Sequence, residues 1–333
     1  MSARLNGVLA LLALLSVSSF TVATSEVTGC RGGRFRVRRV ILSCLVVIIT
    51  PICGVLSSGK PAIADTFVIQ TSSDIQGGDT CSAPTISQMQ TLWNQSPLNF
   101  DDFNIYYAGG NRCDTTQSNL TTTWMHDVGG FNPRIYPMSF NLIPTNVSWT
   151  LPYKYCTEQS NPYQLDSNLS RDYSLGGFAA SDGINQAVAL GITSGPLYLD
   201  IEDYYPNNTY GGVSCRSIAD NFIQGYTDYL SGNAYYRAGV YVSSCSGVTD
   251  YASFPHPPQD VWLANWDGRL TTWGIGCVPD SYWYGDQRIH QFTNQSPTWS
   301  PVSIDRDCEN GDVTGQTPNE TPDSESTNED PGC

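Results

Sequence analysis

The chain has 333 residues, 14% charged and 40% hydrophobic, with a formal net charge of −15; this is enough apolar material for a substantial core and excludes general disorder. Seven of the 16 basic residues but only one of the 31 acidic ones precede residue 65, so the remainder carries nine against thirty, a net −21. Such acidity argues against nucleic acid as a partner and gives no electrostatic help toward an anionic cell wall, whereas a neutral glycan is indifferent to it.

The first two features along the chain are apolar runs, "GVLALLALLSVSSF" (7–20) and "VILSCLVVIITPICGVL" (40–56). The second has a basic lead-in, "RGGRFRVRR", and a small-residue ending, "AIA" (62–64), the layout of a cleaved secretory signal. Read instead as a membrane anchor, it is interrupted by Pro51 and followed by an A-x-A site, so cleavage is expected, with a mature start near Asp65. One explanation of two export-type runs in tandem is a start codon assigned too far upstream. Residues 1–64 are therefore taken as a targeting region, and the exported chain as a secreted monomer that leaves the membrane once its signal is cleaved.

Strand-like runs follow around residues 74–81, 103–110, 140–148, 196–203, 236–244, 260–268, 288–294 and 302–307. Between them, Ile184, Ala187, Val188 and Leu190 recur at helical spacing before Gly191, and Ile218, Phe222, Tyr226 and Tyr229 do so after Cys215. Eight strands alternating with helices predict a closed α/β barrel of the (β/α)8 TIM type over 65–308, open to modification or incompleteness where the linkers after the second, sixth and seventh runs are short or Pro-rich. From Glu309 the sequence "ENGDVTGQTPNETPDSESTNEDPGC" offers one aliphatic residue against seven acids and reads as a disordered tail over 309–333. Eight cysteines lie beyond Ala64, none closer than 25 residues to the next; this even count in an exported chain reads as disulfides, and the spacing does not suit zinc. Seven N-x-S/T sequons, at Asn94, Asn119, Asn146, Asn168, Asn207, Asn294 and Asn319, are glycosylation acceptors in a eukaryotic secretory route.

The ends of the strand-like runs carry the chemistry. In a parallel barrel the site forms where the strands finish, and here they finish in Asp79, Asn146, Asp200 with Glu202, Ser243 with Ser244, Asn265 with Asp267, Gln291, and Asp305 with Asp307. Residues two apart on a strand share a face, so "LYLDIEDYY" is expected to aim Asp200 and Glu202 together into the mouth and to turn Asp203 away. Neighbouring carboxyls push their pKa values apart, leaving one able to donate a proton and the other charged, the division of labour that glycosidic cleavage needs. Tyr204, Tyr205, Trp149, Trp262 and Trp266 are candidate platforms for sugar rings, Trp266 the best of them. His290 and Gln291 alternate, so one of the two must face the interior. No nucleophile elbow, phosphate loop or dinucleotide fingerprint is present, and no metal or other cofactor is expected.

The segments "GGDTCSAPTISQMQTLW", "IYYAGGNRC", "LGITSGPLYLDIEDY", "GVYVSSCSGVTDY", "DVWLANWDG" and "RIHQF", in this order over residues 74–307, resemble DUF1906, the Rv2525c-like group of glycoside-hydrolase-like domains, related to the glycoside hydrolase family 25 lysozymes. The resemblance implies a modified TIM barrel. It aligns Asp79 with the first-strand acid of the lysozymes, Asp200 and Glu202 with their D-x-E pair, and Asp305 with their last-strand acid, and it favours Gln291 for the interior. It implies hydrolysis of an N-acetylated polysaccharide such as peptidoglycan or a chitin-like glycan, with Glu202 as proton donor, Asp200 orienting, and Asp79, Asp305 and Gln291 binding substrate; the strand-end and aromatic reading adds Asn265, Trp266 and Tyr204 as substrate-binding residues. Two other readings use the same residues differently: a non-catalytic carbohydrate-binding barrel, and an extracellular structural protein.

Overall fold

The runs 74–81, 196–203, 236–244, 260–268 and 288–294 each contain a strand, as their β-branched and aromatic content dictates. A computed structural model describes residues 75–95, 105–106, 117–129, 149–161, 163–283 and 287–311. Its strands are β1 (Ile75–Asp79), β2 (Ile105–Tyr106), β3 (Gly195–Glu202), β4 (Thr209–Tyr210), β5 (Val213–Ser214), β6 (Tyr236–Ser243), β7 (Asp260–Ala264), β8 (Gln287–Thr293) and β9 (Asp305–Gly311). Its helices are α1 (Ile86–Gln95), α2 (Thr122–Gly129), α3 (Leu169–Ala189), α4 (Cys215–Ser231) and α5 (Val248–Tyr251). The expected strand at 140–148 and the tail from residue 312 lie outside the described residues.

Seven strands form one sheet in the order β2-β1-β9-β8-β7-β6-β3, and β4 and β5 make a separate hairpin across Gly211 and Gly212. Both glycines have positive φ, +58° and +81°, which a two-residue turn joining adjacent antiparallel strands demands. The fold is thus a mixed α/β half barrel, and the closed, all-parallel barrel is not what the described residues form. One strand departs from the expected direction: β9 runs antiparallel to both its neighbours, β1 and β8. The reason lies in the connection 294–304, "NQSPTWSPVSI", which holds no helix; a parallel return needs a crossover of a dozen or more residues, usually helical, whereas an antiparallel one does not.

Helices α3 and α4 cover the outer face of β3 and β6. Leu197, Leu199 and Ile201 of β3 and Val240 and Val242 of β6 meet Ile218, Phe222 and Tyr226 of α4, all buried, and the Tyr226 hydroxyl donates to the Leu197 carbonyl at 2.6 Å. Asn168 caps α3 by accepting from the Arg171 N–H. Gly191 ends it at φ +82°, with the N–H groups of Gly191 and Ile192 returning to Val188 and Ala187, a left-handed stop that a side chain would strain.

The two helices cross backbone to backbone at a pair of glycines. A Cβ on Gly176 would stand 2.0 Å from the Phe222 carbonyl oxygen, and one on Gly225 only 1.9 Å from that of Tyr173. Gly225→Ala must push the helices apart, and we expect it to cost about 3 kcal/mol, read as a fall in thermal midpoint beside an exposed control such as Gly232→Ala.

Two disulfides, Cys156–Cys215 and Cys245–Cys277, fasten loops at the sheet's upper edge, and Cys81 and Cys308 are disulfide-bonded as well. Among the described residues no helix is long and apolar enough to cross a membrane.

Candidate functional site

Because β9 is antiparallel, its first residue, not its last, shares the upper rim with the carboxyl ends of the other strands. Asp305 pairs directly with Asp79, and Asp307 lies two residues along on the same face, opposite Gly77 and Gln291. Two carboxyls thus face each other across a ladder, an arrangement that repels when both are charged.

The rim is curled. In a flat sheet β3 would stand five strand spacings, about 24 Å, from β1. Yet the Glu202 charge acts on both Asp79 and Asp305, which a flat sheet would hold too far apart. The curvature brings Asp200 and Glu202 of β3, Tyr241 of β6, Gln291 of β8, Asp305 and Asp307 of β9 and Asp79 of β1 around one mouth. Below them Trp262 fills the interior, edge-on to Tyr241 and Tyr198 with ring centroids 5.0 and 5.9 Å away.

The Asp200–Glu202 pair reaches the mouth by a route that simple alternation does not give. Asp200 pairs with Tyr241 and is buried, but the register slips at Ile201, so Glu202 pairs with Val242. Glu202 itself is left-handed, φ +63°, and only half-buried. For a side chain with a Cβ that conformation costs about 1–2 kcal/mol. Strain of this kind persists where the surroundings impose it, and it clusters at functional sites. Glu202→Gly is therefore expected to raise stability by up to about 1 kcal/mol in thermal unfolding, net of the looser unfolded chain, whereas Glu202→Gln leaves the strain in place.

Gln291 ties the rim together. Its Oε1 accepts from the Tyr241 hydroxyl at 3.1 Å and from the Trp266 indole N–H at 2.9 Å, which leaves its Nε2 to donate to Asp79 Oδ2 at 2.6 Å. Two donors on one oxygen fix which way the amide points. Asp79 also shares a side-chain hydrogen bond with Asp307, whose Oδ1 accepts the Trp262 indole N–H at 3.0 Å.

These surroundings raise the carboxyl pKa values. Asp79 is pushed up to about 8, first by burial and then by the charge of Asp305, with Glu202 adding and the hydrogen bonds from Gln291 and Asp307 pulling part of the way back. Asp305 rises to about 6, by burial and then by Glu202. Burial, and then the same ring of carboxylates, holds the Tyr241 hydroxyl well above its usual range, so it remains a donor. Arg288 is spent on the carbonyls of Thr272, Pro279, Tyr282 and Trp283 and on Asp280, and Arg306 lies over the Phe292 ring.

Other candidates divide. Trp266 is 59% exposed yet anchored through its N–H, a fixed open ring face. Asn265 is engaged locally, its Nδ2 on Asp267 and its carbonyl on His290, so it braces the loop that carries Trp266. His290 is buried on the opposite face from Gln291, held by the carbonyls of Thr271 and Asn265. Tyr204, expected to bind substrate, is buried instead: its hydroxyl meets that of Tyr251, and its N–H donates to Ser246. The slip at Ile201 and the turn at Glu202 break the alternation that would have brought Tyr204 to the mouth, and Tyr205 is the exposed one. Asp203 accepts from the Ser246 hydroxyl at 2.6 Å, away from the rim. Asn146 lies outside the described residues. Asp307, a strand-end candidate like Asp305, joins the rim, whereas Tyr241 and the Gln291 linkage are the members that residue spacing does not reveal, because they depend on register across distant strands. Among the described residues no His, Cys, Asp and Glu group is arranged to ligate a metal.

Compared with known protein families, residues 93–308 match the model of the Rv2525c-like, glycoside hydrolase-like domain. No curated protein sequence matches the chain.

Proposed function

The chain belongs to the Rv2525c-like, glycoside hydrolase-like family, and from that premise we propose that it is a secreted enzyme hydrolysing O-glycosidic bonds of an N-acetylated polysaccharide such as peptidoglycan. The observation that carries this reading is the gathering of Asp79, Asp200, Glu202 and Asp305 on one curled rim, beside the exposed, tethered ring of Trp266. A strand-end ring of carboxyls with divergent proton affinities is what acid-assisted glycosidic cleavage requires.

In this proposal Glu202, at the open side of the rim, delivers a proton to the leaving oxygen. Asp200, buried behind it, orients the acetamido group and supports the positive charge that develops on the sugar. Asp79, protonated at neutral pH, donates a hydrogen bond to a sugar hydroxyl or amide oxygen while Gln291 holds it in place. Trp266 stacks on a pyranose face. Disulfides, which form and persist outside the reducing cytosol, support the secreted location.

The test is release of soluble reducing sugar from peptidoglycan and from chitin by the purified protein. Release from either supports a hydrolase and names its glycan. Retention of the protein on both polymers without release replaces the hydrolase with a carbohydrate-binding barrel, and absence of both retention and release overturns the saccharide reading.

A further inference from the structure

Past Glu202 the chain builds a lobe on the rim, residues 203–214, that includes the β4–β5 hairpin. This lobe is fastened to the loop 151–157 by three hydrogen bonds, and a disulfide holds its border with α4. Cys156 is bonded to Cys215; the Tyr205 N–H donates to the Cys156 carbonyl at 2.8 Å; the Thr157 hydroxyl donates to the Asp203 carbonyl at 3.0 Å; and the Asn208 side chain donates to the Tyr155 carbonyl at 2.9 Å. On the braced surface stand Tyr155, 55% exposed, Tyr205, 40% exposed, and the half-buried Tyr210, with the rings of Tyr155 and Tyr210 5.0 Å apart.

Exposed aromatic rings clustered on so firmly fixed a backbone mark a binding surface. A tyrosine offers a broad apolar face with a polar edge and little conformational freedom to lose, which suits a sugar ring. The location adds direction. Tyr205 is three residues beyond Glu202, at most about 11 Å of chain, while Trp266 rises from the end of β7, two strands from β3 in the sheet order.

We infer that Tyr155, Tyr205 and Tyr210 form a second saccharide platform, which holds further rings of the chain whose glycosidic bond lies at Glu202, so that the preferred ligand is an extended N-acetylated glycan rather than a mono- or disaccharide. The inference rests on the carbohydrate reading of the Glu202 site, and the two fail in different ways.

The experiment is calorimetric titration of N-acetylglucosamine oligomers of increasing length into the Glu202→Gln protein, which holds substrate without consuming it. Affinity is expected to climb with length. Adding Tyr155→Ala and Tyr210→Ala is expected to remove the climb, weakening the longest oligomer by about 10-fold, equivalent to about 1.4 kcal/mol, whereas Tyr173→Ala on the outer helix layer preserves it. Tyr205→Ala provides a second variant on the ledge should the double change unfold the protein. If no oligomer binds, the carbohydrate reading falls and the platform with it. If oligomers bind with an affinity that is flat in length, or that climbs equally in the tyrosine variants, the carbohydrate reading stands and the platform is overturned.

Discussion

Replacing Glu202 by Gln is expected to lower sugar release by about 10²- to 10⁴-fold, the range for loss of a positioned general acid, while saccharide binding survives. Gln has the same shape, keeps the left-handed backbone at φ +63° and still makes hydrogen bonds, but it cannot deliver a proton. Because the Glu202 charge is one of the causes that raise Asp305 and Asp79, the variant also makes both easier to ionise. The measurement is reducing-end release across pH, with binding followed in parallel. Turnover at the parent level would remove the acid role from Glu202 and direct it to Asp79, which holds a proton at neutral pH; Asp79→Asn would then be the inactive variant.

Thermal stability is expected to fall as pH rises from about 5 to about 9, the reverse of ordinary acid denaturation. In the unfolded chain the Asp79 carboxyl ionises near 3.8, and in the folded protein near 8. Between these values the folded form holds a proton that the unfolded form has released, so each increase in pH favours unfolding until the folded carboxyl also ionises. Asp220, raised to about 7, and Asp172 and Asp305, each raised to about 6, act in the same direction over narrower windows, all four chiefly through burial. At about 1.4 kcal/mol per pKa unit, and discounted because the Asp79 side chain is not wholly withdrawn from solvent, Asp79 alone accounts for about 3 kcal/mol. That corresponds to a midpoint shift of about 10 °C for a domain of this size. Asp79→Asn, which cannot ionise, should flatten the curve. A variant curve as steep as the parent's would show that Asp79 carries no such proton.

Much of the rim was legible in the residues because polar side chains at successive strand ends have no packing reason to be there. Asp79, Asp200, Glu202, Gln291, Trp266 and Asp305 all meet at the mouth. The direction of β9 was not legible: a period of two reads the same forwards and backwards, and only the lack of a helix in 294–304 hints at the reversal. The place of Tyr204 was hidden for a related reason. Strict alternation assumes an unbroken ladder, and the slip at Ile201 shifts everything after it. The Asp79–Asp307 contact joins residues far apart in the chain, and it exists only because β9 lies between β1 and β8.

The reversed β9 has a consequence for how the domain can be attached to something else. Its last residue, Gly311, pairs with Gln287 at the start of β8, and Glu309 pairs with Ile75 at the start of β1. The chain thus enters and leaves the sheet at the floor, on the side away from the mouth. A tether or solid support joined at Ile75 or Gly311 pulls from beneath, and the domain is held like a cup on its base, with the opening left free.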